Sequence, residues 1–160
     1  MTPTSIVLDT TLQTGDLTGD NQIVKQAKVL ANVLRAGRKF IVYCGIGKTN
    51  TTDAGTSGAL LIGSTGTLSD AWASSFVTMS AGNRSQATLQ EYVMASATSL
   101  VQCGPANKSG WGGAGTSDVY LTARTVDNVE SNDIWISLAV DIAGTTSAPV
   151  GYHLEVVLMP

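Results

Sequence analysis

The residues able to do chemistry are few, and each stands in a pattern that stops short of completing it. Gly45-Ile46-Gly47-Lys48-Thr49 has the ending of a phosphate-binding loop, in which backbone amides wrap phosphates and a lysine reaches the outer one. The first glycine of that motif would stand at position 42, which is Val42, and Asn50-Thr51-Thr52-Asp53 follows where a helix should open, so the stretch reads as a Gly-rich turn after a strand. Asp16, Thr18 and Asp20 hold the first, third and fifth places of a calcium loop. The sixth is Asn21 instead of glycine and the twelfth is Ala27, where the bidentate acid belongs. His153 has Glu155 two residues on, the same face of a strand, a spacing that suits a weak ion pair and supplies too few ligands for zinc. Asp127, Glu130 and Asp133 share a turn with no second group to split their pKa values. Cys44 and Cys103 lie far apart without CxxC spacing and read as free thiols. No catalytic residue, cofactor or metal ligand is assigned, and the chain is expected not to be an enzyme.

Two tryptophans are better placed for contact than for catalysis. Trp111 stands in a glycine-rich run, Gly104 to Ser117, that cannot bury it locally. It either tucks back onto the fold, buries against a partner subunit, or offers a platform to a sugar ring. Trp135 lies on the face of its strand opposite Ile134, Ile136 and Leu138, so a second sheet or another protomer is expected to cover it.

The elements that must position these residues read as strands. In 133–142, Ile134, Ile136, Leu138, Val140 and Ile142 alternate with Asp133, Trp135, Ser137, Ala139 and Asp141, the pattern of a strand with one buried face. Residues 152–158 repeat it, with Tyr152, Leu154, Val156 and Leu158 inward and His153, Glu155 and Val157 outward. Further strands are expected at 118–126, at 39–46 (apolar on both sides, with Phe40 and Tyr43 in the core), around 59–62, around Trp72 to Met79, within 89–102, and at 4–9. Asn, Asp, Gly and Pro turns separate them. The sum is an all-β chain, an antiparallel β-sandwich of jelly-roll type with about eight strands, one domain over 1–160 with 1–20 as an N-terminal arm or strand. One segment reads differently. In 21–36, Ile23, Ala27, Leu30, Ala31 and Leu34 share a helical face opposite Lys25, Lys28, Asn32 and Arg35, which predicts a helix; a strand at 27–34 with a turn at 35–38 is the competing reading.

Composition sets the outer limits. Of 160 residues, 13% are charged and 69 are Thr, Ser, Gly or Ala, a neutral-polar surface with no apolar run long enough to span a membrane as a helix. The net charge of −3 hides a block of six cations and no acid in residues 21–52. Lys25, Lys28, Arg35, Arg38 and Lys39 suit docking on an acidic neighbour more than on nucleic acid, which needs a basic face interleaved with stacking aromatics. The N-terminus lacks the pattern of a secretory signal, so synthesis and folding in a host cytoplasm are expected. The Thr/Ser/Gly texture suits a protein used outside cells. A virion component released by lysis satisfies both.

The strands Trp135-Ile136-Ser137-Leu138-Ala139-Val140-Asp141 and Tyr152-His153-Leu154-Glu155-Val156-Val157-Leu158 resemble those of jelly-roll and sandwich proteins of tailed-bacteriophage particles, most of all capsid decoration (cement) proteins. The resemblance implies a homo-oligomer, a trimer, that binds the major capsid protein or other virion proteins and stabilises the shell, with no nucleic acid or membrane as partner. Lys25, Lys28, Arg35, Arg38 and Lys39, with Trp111 and Trp135 as anchors, are then the expected interface. The alternative is a fibre or tail receptor-binding or carbohydrate-binding module.

Overall fold

A computed structural model describes residues 2–9, 13–17, 21–50, 56–75, 85–103, 123–142, 144 and 146–160. Eleven strands are present among them: β1 (Thr4–Asp9), β2 (Gln13–Thr14), β3 (Gln22–Val29), β4 (Lys39–Lys48), β5 (Thr56–Gly63), β6 (Ala71–Ser75), β7 (Ser85–Ser96), β8 (Ser99–Gln102), β9 (Ala123–Thr125), β10 (Ile134–Ile142) and β11 (Pro149–Leu158). All pair antiparallel, in one sheet ordered β1-β11-β4-β7-β8-β9, with β2 also on β11, and a second ordered β3-β10-β5-β6. Set aside the short β2, β8 and β9, and the remaining eight strands, counted along the chain, run 1-8-3-6 in the large sheet and 2-7-4-5 in the small one. That is the jelly-roll order, as the strand pattern predicts.

Period-two burial builds the core. Phe40, Val42, Cys44 and Ile46 of β4 and Leu154 and Val156 of β11 face Ile134, Ile136, Leu138, Val140 and Ile142 of β10 and Leu60 and Ile62 of β5. Tyr92 of β7 stacks on Phe40 at 5.3 Å between ring centroids. Gln90 and Gln102 are also interior; Gln102 donates to Gln90, whose own amide donates to Thr88 Oγ1 at 3.1 Å, so the buried amides satisfy each other.

The segment 21–36 is not a helix. Residues 22–29 form β3, and the chain then crosses from the small sheet to the large one through turns that the helical pattern could not accommodate. Asn32 takes a left-handed φ of 64° and donates its amide to Val129 O, while Ala31 donates to Asp133 Oδ1. Leu30, which the helical face would have buried, is 64% exposed. The true inward row is Lys25, Ala27, Val29, facing Leu138, Ile136 and Ile134. A lysine in the first of those places conceals the alternation from a hydropathy reading.

Lys25 is fully buried, with its ammonium 2.8 Å from Asp9 Oδ1 of β1, so the pair joins the two sheets at their flank. Space for the lysine stem comes from Gly151 on β11: a Cβ there would stand 2.7 Å from Lys25 Cγ and 2.8 Å from Val24 O.

Other local expectations change. Residues 89–102 contribute to two strands, β7 and β8, joined by a tight turn. Gly45 to Lys48 is not a turn: β4 runs straight through it, and Lys48 is buried. Tyr43 lies outside the core, on the outer face of β4, because Val42 and Cys44 take the inward places. In β11 the register slips by one residue between Gly151 and His153, a bulge that turns Tyr152 out to solvent, 37% exposed, against the inward place expected of it. Of 118–126, only 123–125 form strand β9 and 118–122 lie outside the described residues; likewise β6 ends at Ser75, and Phe76 to Met79 lie outside them.

Gly151→Ala is expected to lower the unfolding free energy by about 1–3 kcal/mol, the usual effect of overpacking, since a backbone carbonyl and a buried lysine stem must both give way. Urea denaturation reads this directly, and a variant as stable as the parent would contradict the packing described.

Candidate functional site

The large sheet carries a groove on its outer face, and parity explains each side chain in it. With Val42 and Cys44 inward, Tyr43 and Gly45 of β4 face out; with Leu154 and Val156 inward, His153 and Glu155 of β11 do the same. The register sets Tyr43 opposite Glu155 on one side and Leu89 of β7 on the other. The adjacent rung sets Gly45 between His153 and Ala87. A rung of glycine and alanine beside a rung of tyrosine and glutamate leaves a depression. The extruded Tyr152 walls one end, and the groove of about 490 Å³ is lined by Tyr43, Gly45, Ser85, Thr88, Tyr152, His153 and Glu155 among others. That volume falls in the range of small-ligand sites.

The groove's chemistry is aromatic and hydrogen-bonding. Two phenols line it, Ser85 offers a hydroxyl, and His153 Nε2 lies 3.8 Å from Glu155 Oε2, the pair that the i, i+2 spacing suggests; Thr88 reaches the groove only from the inward row of β7, with its hydroxyl bonded to Gln90. Both side chains are about a third exposed or less, so they reach the groove without being fully solvated. Cys44 contributes to the floor, but its thiol is on the core side, and burial pushes its pKa far up. It is therefore a packed thiol and not a nucleophile.

The expected interface residues scatter. Lys25 is interior and ion-paired with Asp9. Lys28 is on the outer face of the small sheet, 2.7 Å from Asp133 and 5.9 Å from the ring centroid of Trp135. That hydrogen bond, with a second from the Ala31 amide, holds the Asp133 carboxyl below the usual range. Arg35 is exposed and Arg38 half-buried in the crossover. Lys39 is on the outer face of the large sheet, 3.3 Å from Glu91. The basic run thus divides among an interior and two opposite faces, and of the six expected residues that are described only Lys28 and Trp135 meet. Trp135 is covered by its own chain: Gly66 of the β5–β6 turn is set against the indole, in a left-handed φ of 67° where a Cβ would stand 3.0 Å from the ring. Gln26 fastens that turn, donating to Gly66 O at 2.6 Å and Ser137 Oγ at 3.1 Å. Neither a second sheet nor a second protomer is required. Trp111 lies outside the described residues.

A second hollow, beside Asp70 and Asp127, has its carboxylates committed to structure. Asp70 accepts from the Thr65 amide and hydroxyl and from the Gly66 amide, and Asp127 accepts from Ser64, which lowers its pKa. No group of three or more metal-ligating side chains occurs among the described residues.

Sequence reasoning named His153 and Glu155 as partners but missed Tyr43, Gly45, Ser85, Thr88 and Tyr152 as their neighbours. The parity of Tyr43 and Gly45 was available in the sequence; the pairing that brings β4, β7 and β11 side by side was not.

No protein family matches the chain, and no curated protein does. Among solved structures it is similar to the CBM2 module of the evolved Dit of Lactobacillus casei BL23 phage J-1, at 11% identity and a TM-score of 0.37, over 82% of this chain and 67% of that one. A likeness of that degree fixes neither ligand nor role.

The two cysteines should separate cleanly by reactivity. Cys103 is exposed, its pKa raised by partial burial and by Glu91 against the lowering effect of Lys39, whereas Cys44 is buried. Ellman's reagent on the native protein is expected to label a single thiol, Cys103, with Cys44 reacting only after denaturation. Two thiols reacting together in the native state would contradict the inward orientation of Cys44.

Proposed function

We propose that the chain is a non-enzymatic recognition module whose outer-sheet groove holds a glycan. The observation that carries the reading is the meeting of Tyr43, Tyr152, His153 and Glu155 around a floor of Gly45 and Ala87. Sugar rings present apolar C–H faces that stack on aromatic rings and hydroxyl edges that bond to carboxylate, imidazole and hydroxyl groups, and this groove brings both kinds of group together. Glu155 is the single carboxylate among its described lining residues, where glycoside hydrolysis commonly uses a pair. Binding without cleavage is the simpler reading.

With the strand texture, the proposal places the module in a virion, in a tail or fibre that meets a host-surface glycan, as a homo-oligomer. Shell decoration, the first expectation, relied on a basic docking face and two tryptophan anchors. Lys25 is buried, Lys28 and Lys39 are ion-paired, and Trp135 is covered by its own turn, so that reading retains only Arg35, Arg38 and Trp111.

A glycan array followed by calorimetry tests the proposal. Tyr43→Ala and Tyr152→Ala are each expected to weaken binding at least about tenfold, or ~1.4 kcal/mol. Tyr152→Ala should leave thermal stability unchanged, since its side chain stands in a solvent-facing bulge. An array blank at millimolar protein, or alanine variants that bind like the parent, would overturn the assignment.

A further inference from the structure

We infer that Glu155 makes the groove charge-selective, admitting uncharged glycans and rejecting those that carry a carboxylate or sulfate. The inference rests on the glycan reading above and specifies which class of glycan the site takes. Three observations carry it.

First, among the described residues no lysine or arginine lines the groove, and Glu155 is its one carboxylate. A cation that pairs with the acid group is the strongest way to hold an acidic sugar. This groove presents the opposite charge, on a side chain 26% exposed and therefore partly withdrawn from water. A ligand anion seated beside it would meet a like charge at close range in a medium less polar than bulk solvent.

Second, the other described charges of the same sheet face are too distant or too committed to offset it. Lys39 and Glu91 pair with each other at 3.3 Å. Lys39 stands four residues along β4 from Tyr43, the residue opposite Glu155, a separation of about 14 Å along the strand and beyond the Debye length of roughly 10 Å at 0.1 M salt. Asp9 of the neighbouring β1 is turned against Lys25 in the interior. Among the described residues His153 is the one nitrogen base at the site, 3.8 Å from Glu155. The net charge of the chain, −3 with His153 counted neutral, adds a weak repulsion of the same sign.

Third, the same carboxylate is well placed to reward a neutral sugar. A carboxylate can accept hydrogen bonds from two adjacent hydroxyls, and Tyr43 sits across the ladder from Glu155 with its ring available to the sugar's apolar face. One group therefore both attracts the right class and repels the wrong one, which is how discrimination is achieved without an additional element.

The test is an array carrying the same backbones in neutral form and in uronic-acid, sialylated or sulfated form, probed at pH 8 with the full chain and with Glu155→Gln. The parent is expected to bind neutral forms at least tenfold more tightly than their acidic counterparts. The preference should shrink between 50 and 500 mM NaCl, a readout that needs no variant. Glu155→Gln should lose about tenfold on neutral glycans and bring the acidic forms to within about threefold of them. If the parent binds acidic forms as well as or better than neutral ones, or if Glu155→Gln keeps the parent's preference, the inference fails while the glycan reading stands. If the parent binds no glycan of either kind, the glycan reading itself fails and the inference with it.

Discussion

Val42 and Cys44 of β4 and Leu154 and Val156 of β11 bury against the small sheet, and that burial decides what every other residue of those strands can do. Side chains alternate across a strand, so fixing one row inward fixes the intervening row outward. Tyr43, Gly45, His153 and Glu155 face solvent for this reason alone. A slip of one residue in both strands would exchange the two rows, placing an ion pair and a tyrosine inside and four apolar side chains outside. The hydrophobic energy of the core is thus also what holds the groove in register.

The informative features are the places where the alternation is broken. At Gly151 the missing side chain admits the stem of Lys25, whose ammonium then reaches Asp9 and joins the flanks of the two sheets. One residue later the bulge opposite β4 extrudes Tyr152 and gives the groove its end wall. Bulges increase local twist and re-aim side chains, and they recur beside binding sites. Here the core-side accommodation of a buried lysine and the solvent-side placement of an aromatic occur at consecutive positions of one strand. The flank that closes the sandwich and the site on its outer face are physically adjacent features of β11.

Much of the architecture was legible in the residues. The strict alternation of 133–142 marks β10, and seven of the eight principal strands and their antiparallel character follow from short periodic runs with turn chemistry between them. β3 was not legible, because a buried lysine in an inward place looks like the polar face of a helix, and only its partner on another sheet explains its burial. Tyr152 was misassigned because a bulge leaves no mark in a period-two count. The groove was half legible. His153 and Glu155 share a face by spacing alone, but their meeting with Tyr43 and with Ser85 and Ala87 depends on pairings between residues separated by tens to more than a hundred positions. The basic run misled for a related reason. Nearness in sequence is not nearness on a surface when a strand, a crossover and a second strand divide it between opposite sheets.

The central claim is that ligand recognition belongs to the outer face of β4, β7 and β11. The most direct measurement is a nitrogen–proton correlation spectrum of the labelled protein, titrated with the neutral oligosaccharide that binds best. The account predicts that amide shifts concentrate at Gly45, Ala87, Thr88 and the Tyr152 to Glu155 stretch, with Lys28, Arg35 and Trp135 unmoved. Shifts centred on the crossover or on the outer face of the small sheet, with the groove silent, would contradict it.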